Sequence, residues 1–267
     1  GKLLFTQEKY AEAIAPLTEA LNLGDSHGYF DKAPKLVVLQ MLATLHYQEG
    51  TNTKVSKEQQ KPHTIKALAY LKRWLSETPK VTSETSMLYA SMLYNQAIAD
   101  PENPDKELLR QMRAEVERGL LLSIAPKEGF YALLLAGLQQ EQDYERGADL
   151  LEFLVSNFPE KKDYWPTLLS FYLSMMNESL DSNPRISRIN NLRAINTMER
   201  GHKIGVLNSP KDNYNLVTLY INAGQFSQAT DLLHAGLKAG TIESDIKTWN
   251  ILGSYYLQAE RTEKAIT

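Results

Sequence analysis

The feature that most limits the fold of this chain is a recurring register of large and small residues. Trp249, Leu252 and Tyr256 stand at i, i+3 and i+7, so a helix would carry all three on one face. Gly253 sits among them, and Ala265 follows nine residues after Tyr256. A glycine on one helix facing an alanine on the next lets two helices cross closely. The spacing returns upstream. Pro126 and Pro159 are 33 residues apart, and Tyr131, Leu134, Leu138, Tyr144, Gly147, Leu151 and Leu154 fill the apolar or small slots between them. Trp165, Leu168 and Tyr172 repeat the i, i+3, i+7 pattern, and Tyr220, Phe226, Ala229, Leu233 and Gly236 fill another unit. Ala13, Leu17 and Ala20 keep the spacing of a second helix, as do Ala67, Leu71, Trp74 and Pro79, and Ala114, Leu121 and Pro126. A short unit repeated in this way cannot bury its apolar face alone, so neighbouring units must stack.

The register predicts seven units, with helix pairs near 1–7 and 9–23, 33–49 and 62–78, 82–99 and 104–123, 127–140 and 143–157, 161–178 and 184–206, 210–223 and 226–238, and 244–258 and 261–267. The corresponding organisation is one domain over 1–267, with units at 1–25 (partial), 33–79, 82–126, 127–159, 161–206, 210–241 and 244–267 (partial). Start signals agree: Pro34 in a first turn, Thr82 and Thr85 after Pro79, and Asp163 just before Tyr164. Gly24, Gly50 and Gly240 are stop signals. Pro16 falls inside a second helix, where it should kink the backbone. Residues 50–62 read as a polar loop, with shorter insertions at 100–105 and 178–184. Both ends of the chain fall inside the pattern, so we expect a longer protein around it.

The W-x2-L-G-x2-Y spacing with its following alanine resembles the tetratricopeptide repeat, a helix–turn–helix of about 34 residues. The match is sharpest in the last unit and loosest in units two and three, where the insertions depart from it. The resemblance implies an all-α, right-handed superhelical solenoid whose first helices line a concave, partner-binding groove. On that expectation the groove positions are Asp163, Ser170 and Ser174, then Lys211, Tyr214, Asn215, Thr218 and Asn222, then Lys247, Asn250, Ser254 and Gln258. Such polar groups can hydrogen-bond an extended peptide. The carboxylate-clamping members of the family use Lys and Asn on successive first helices. This chain has Pro166 and Ser170, then Tyr214 and Thr218, in those places, which argues against a clamp. A second likeness, over residues 157–165 and 236–243, is to the periplasmic repeat proteins that accompany bacterial TonB systems. It would imply an envelope scaffold in the bacterial periplasm.

Composition narrows the chemistry. At 43% hydrophobic and 23% charged, the 267 residues suit a globular chain rather than a disordered one. A net charge of −3 supplies no general basic field for nucleic acid, which is not expected as a partner. The absence of cysteine removes thiolate chemistry and disulfides. No apolar run approaches the length of a membrane helix, so direct membrane insertion is not expected. Phosphate-binding loops, nucleophile elbows and zinc-binding helix motifs are missing, and no cofactor or metal is expected. Of the five histidines, His46 falls in an apolar slot and reads as a satisfied core residue, and His63 reads as solvated. One basic stretch, Arg185, Arg188, Arg193, Arg200 and Lys203, could meet an acidic peptide, a phosphate or nucleic acid, together with Asn190, Asn191 and Asn196. It reads instead as a solvated helix face, because no aromatic platform is interleaved with the charge.

These features lead to a non-catalytic scaffold that binds a protein or peptide in the groove. Two alternatives belong to other classes: the substrate-handling region of a larger enzyme, and a structural spacer in a bacterial envelope assembly. Partner identity and oligomeric state are left open by the residues.

Overall fold

The computed structural model describes residues 1–261 and Ala265. Among the described residues 75% are helical and none forms a strand. Thirteen helices follow one another among them: α1 (Lys2–Thr6), α2 (Tyr10–His27), α3 (Lys32–Gly50), α4 (Lys57–Glu77), α5 (Ser83–Ala97), α6 (Lys106–Leu121), α7 (Glu128–Gln140), α8 (Tyr144–Asn157), α9 (Tyr164–Glu178), α10 (Pro184–Lys203), α11 (Pro210–Asn222), α12 (Phe226–Ala239) and α13 (Ile246–Gln258). The expected helix over 261–267 lies outside the described residues apart from Arg261 and Ala265. A side chain at Gly253 would reach the Ala265 carbonyl at 3.7 Å, so those two residues do meet.

Two boundaries differ from the sequence reading by four residues or more, each for a local reason. α4 begins at Lys57 rather than at 62, because Ser56 and Gln59 form a capping box. Ser56 Oγ accepts from the Gln59 amide at 3.4 Å, and Gln59 Oε1 accepts from the Ser56 amide at 3.2 Å. Pro62 therefore lies inside the helix, and the polar insertion shrinks to six residues, 51–56. Gln60 Nε2 ties that turn down by donating to the Asn52 carbonyl at 2.7 Å. α2 runs past Gly24 to His27 and stops at Gly28, whose φ of 67° a left-handed cap requires.

Gly24 instead takes part in a motif that recurs in α10 and α12. A buried helical glycine is followed four residues later by a glycine of positive φ, and two residues after that by an apolar side chain that folds back onto the first. The trios are Gly24, Gly28 and Phe30, then Gly201, Gly205 and Leu207, then Gly236, Gly240 and Ile242. A Cβ on the first glycine would stand 2.1, 2.6 and 2.6 Å from the returning side chain. In the latter two, the Val206 and Thr241 amides donate to the Gly201 and Gly236 carbonyls, each at 2.9 Å, closing the helix end.

The chain divides into two compact units, residues 1–141 and 142–267. Within each, a helix packs mainly on the next one in the chain. In the first unit, Leu17, Leu21, Leu39, Leu42 and Leu45 form one cluster, and Leu71, Leu93, Leu109, Met112, Val116 and Phe130 belong to another. An ion network ties α2, α3 and α4. Arg73 reaches Asp25 at 2.6 Å and Glu77 at 2.8 Å, and Lys35 reaches the same two carboxylates at 3.0 and 3.1 Å. In the second unit, Leu151, Leu154, Trp165, Leu168, Phe171, Met198, Leu216, Leu233 and Tyr256 are buried. Trp165 is buried and donates through Nε1 to the Pro159 carbonyl at 3.1 Å. Trp249, in the same register slot, is 43% exposed and rests on Ser244, whose Oγ accepts from its Nε1 at 3.0 Å.

Candidate functional site

The second unit brings part of the expected groove together at the first turns of α11 and α13. Ser209 caps α11 through a capping box with Asp212, and Pro210 occupies the first turn. Asp245 caps α13, its Oδ1 accepting from the Thr248 amide at 2.6 Å. Hydrogen bonding from the Thr248 side chain, then that amide bond, and the Lys247 charge beside them hold the Asp245 carboxyl below the usual range. The two caps place Lys211, Tyr214 and Lys247 around one hollow of about 400 Å³. Pro210, Ile242 and Ile251 supply its apolar wall, and Glu243 and Asp245 an acidic side. Tyr214 is exposed although it is a large aromatic. The arrangement offers two ammonium groups, a phenol and an apolar surface to one extended ligand.

The other groove positions distribute differently. Lys247, Asn250 and Ser254 share a shallower hollow along α13 with Ile246, Ile251 and Tyr255. The hydroxyls of Thr218 and Ser254 donate to the Tyr214 and Asn250 carbonyls of their own helices, at 3.1 and 3.0 Å. Asn222 lies at the far end of α11, in a separate hollow with Arg188. Asp163, Ser170 and Gln258 are exposed, and Ser174 and Asn215 are half-buried. None of these five lines the three hollows described. Ile242 and Ile251 were absent from the sequence-based groove. The signal for Ile242 was its position six residues after Gly236.

The basic stretch of α10 does not act as one face. Arg200 turns toward α8 and α9, pairing with Glu152 at 2.7 Å and lying over the Trp165 ring at 5.2 Å. Arg193 lies over Tyr172 at 5.8 Å. The aromatic platform missing from the local sequence is thus supplied by α9. Glu152 also accepts from the Tyr172 hydroxyl at 3.0 Å. Burial, and then that carboxylate, push the Tyr172 phenol up to about 12. Arg185, Arg188 and Lys203 are exposed and form no ion pair among the described residues. Asn190 and Asn191 are buried, while Asn196 is exposed.

His46 is buried, as expected, but its partner is His63, the histidine that the sequence placed in solvent. Among the described residues no group of three or more His, Asp or Glu side chains is placed to hold a metal ion. None of the helices among them is long and apolar enough to cross a membrane.

No known family profile and no curated protein matches the chain. Among solved structures it is similar to the nuclear import adaptor Nro1 of S. pombe, with 10% identity and a TM-score of 0.40 over 84% of this chain and 100% of that one. It is also similar to human IFIT1, solved as a dimer with PPP-AAAA, with 12% identity and a TM-score of 0.34 over 96% of this chain and 66% of that one.

Proposed function

We propose that this protein is a non-catalytic scaffold of the tetratricopeptide type, which binds an extended segment of a partner protein at the first turns of α11 and α13. The observation that carries this reading is the convergence of Lys211, Tyr214 and Lys247, from two separate helices, on one hollow with an apolar wall. An exposed tyrosine offers large contact area at low conformational cost, which suits a binding anchor. The two lysines favour a segment with a carboxylate beside an apolar side chain. Glu243 and Asp245 disfavour one with carboxylates throughout. The likeness of residues 157–165 and 236–243 to periplasmic TonB-associated proteins would place the scaffold in a bacterial envelope. Fractionation of cells that make the protein tests that placement.

Site-specific photocrosslinking tests the binding site. A benzophenone amino acid at Tyr214 should yield a discrete protein adduct in cells, and Lys211→Glu with Lys247→Glu should abolish it. The same group at Gln228, exposed on α12, should give none. Equal adducts at both positions, or an adduct indifferent to the charge reversals, would refute the site.

A further inference from the structure

A further hollow, of about 550 Å³, opens where the first turn of α8, the last turn of α9 and the first half of α10 meet. Ile186, Ile189 and Arg193 line it at i, i+3 and i+7, on one stripe of α10. Met175 of α9 continues the apolar floor. The two isoleucines are 45% and 41% exposed, so an apolar pair lies open side by side. Charge frames this pair unevenly. Arg193 lies over the Tyr172 ring at 5.8 Å and has no ion pair among the described residues. Glu178, at the turn between α9 and α10, and Glu145, in the first turn of α8, also line the hollow and have no ion pair among those residues. Tyr172 and Glu178 are six residues apart on α9, which sets the cation about 9 Å from that carboxylate along the axis. Asn190 adds a donor at the floor, where it lines the hollow and is 3% exposed. Its Oδ1 accepts from Arg193 Nη1 at 3.5 Å, which orients the amide, since the reverse would set donor against donor. Its Nδ2 donates to no group among the described residues and is not one of the side-chain atoms closed off from solvent.

We propose that this hollow binds an extended segment of a partner protein in which an acidic and a basic residue flank an apolar one. The carboxylate pairs with Arg193, the apolar side chain covers Ile186 and Ile189, and the cation meets Glu178 and Glu145. Asn190 Nδ2 donates to a backbone carbonyl, which an extended segment leaves free and a helix pairs internally. At about 3.3 Å per extended residue, a span of about 9 Å sets the two charges two or three positions apart. Anionic headgroups and nucleic-acid phosphates are disfavoured, because Glu145 and Glu178 would repel them. The site shares no residue with the one at Lys211, Tyr214 and Lys247, and does not depend on it.

Random twelve-residue peptides displayed on phage, selected on the full 267-residue chain, supply the probe. Enriched peptides are synthesised with a fluorophore and measured by anisotropy. At least one enriched family should carry an acid and a base two or three positions apart around an apolar residue. Its affinity should fall about tenfold or more on Arg193→Glu and on Ile189→Gln, both at exposed positions. Replacing the peptide's acid by Lys should restore binding to the Arg193→Glu variant, which a merely structural role for Arg193 would not allow. The same peptides should bind Lys247→Glu unchanged, which separates this site from the proposed groove. No such family, binding indifferent to Arg193→Glu, or a loss that the Lys-bearing peptide does not recover overturns the proposal. So does Arg193-dependent binding of phosphatidylserine vesicles or of a twelve-nucleotide RNA when no peptide binds.

Discussion

His46 Nδ1 lies 3.0 Å from His63 Nδ1, so the hydrogen bond between α3 and α4 requires one of the two nitrogens to be unprotonated. The His46 ring also stacks on Tyr70, with centroids 5.6 Å apart. Burial first, and then the charges of His63 and Lys66, push His46 down to about 4. Its folded value lies below its unfolded one, so the unfolded chain binds more protons between the two. Stability is fully present above pH 6.5 and is lost as the pH falls toward 4. We expect the first unit to lose on the order of 2 kcal/mol between pH 6.5 and 5 from this group. Urea midpoints across that range should fall less steeply for His46→Leu than for the unaltered chain. Parallel slopes would contradict the assignment.

Asp25 should show an acid limb at lower pH. Hydrogen bonding to Arg73, opposed by burial and reinforced by Lys35, lowers its carboxyl from 3.8 to about 2. The contribution is present above pH 3.8 and disappears as the pH falls through 2. Arg73→Leu should remove most of the loss in melting temperature between pH 4 and 2 that traces to this carboxylate. A variant that retains the full loss would mean that the network does not hold in solution.

Gly147 and Gly129 form a matched pair. An alanine Cβ at Gly147 would stand 2.2 Å from the Phe171 ring, and one at Gly129 would stand 3.2 Å from the end of Met87. Helix propensity favours both substitutions by up to about 1 kcal/mol. The buried, rigid ring should reverse that sign at Gly147, for a net cost of about 1–3 kcal/mol. At Gly129 the flexible methionine should yield, leaving the change neutral or stabilising. Ala229→Leu, at a position with 0% exposure, should also cost about 1–3 kcal/mol. Thermal melts of the three variants decide the matter, and equal shifts at Gly147 and Gly129 would be the failing result.

The arginines of α10 should separate into two classes. Arg200→Ala removes the Glu152 pair and the cover over Trp165, and leaves Glu152 with Tyr172 alone. A loss of about 1–2 kcal/mol is expected. Arg185→Ala removes an exposed charge without an ion pair among the described residues and should stay within about 0.5 kcal/mol. Denaturant midpoints that rank the two equally would restore the reading of a uniformly solvated basic face.

The helices were legible from the sequence because each is fixed by local spacing. Leu252 and Tyr256 are buried, as the i, i+3, i+7 register requires, and most boundaries fall within a few residues of the expected ones. Ser56 and Gln59 were equally local, and their capping-box spacing could have placed the start of α4. What the sequence could not supply were relationships between residues on different helices. His63 acquires its partner only when α3 and α4 pack. Arg193 and Arg200 find their rings only across α9. Asn191 is left with a buried, unpaired oxygen only because α11 approaches α10. A helix face is set by a period of 3.6 residues, which a linear sequence displays directly. The contents of a hollow depend on the crossing and rotation of neighbouring helices. Those are set by the packing of many side chains at once, so the tertiary structure alone decided that Lys211, Tyr214 and Lys247 share one hollow while Asn222 and Arg188 share another.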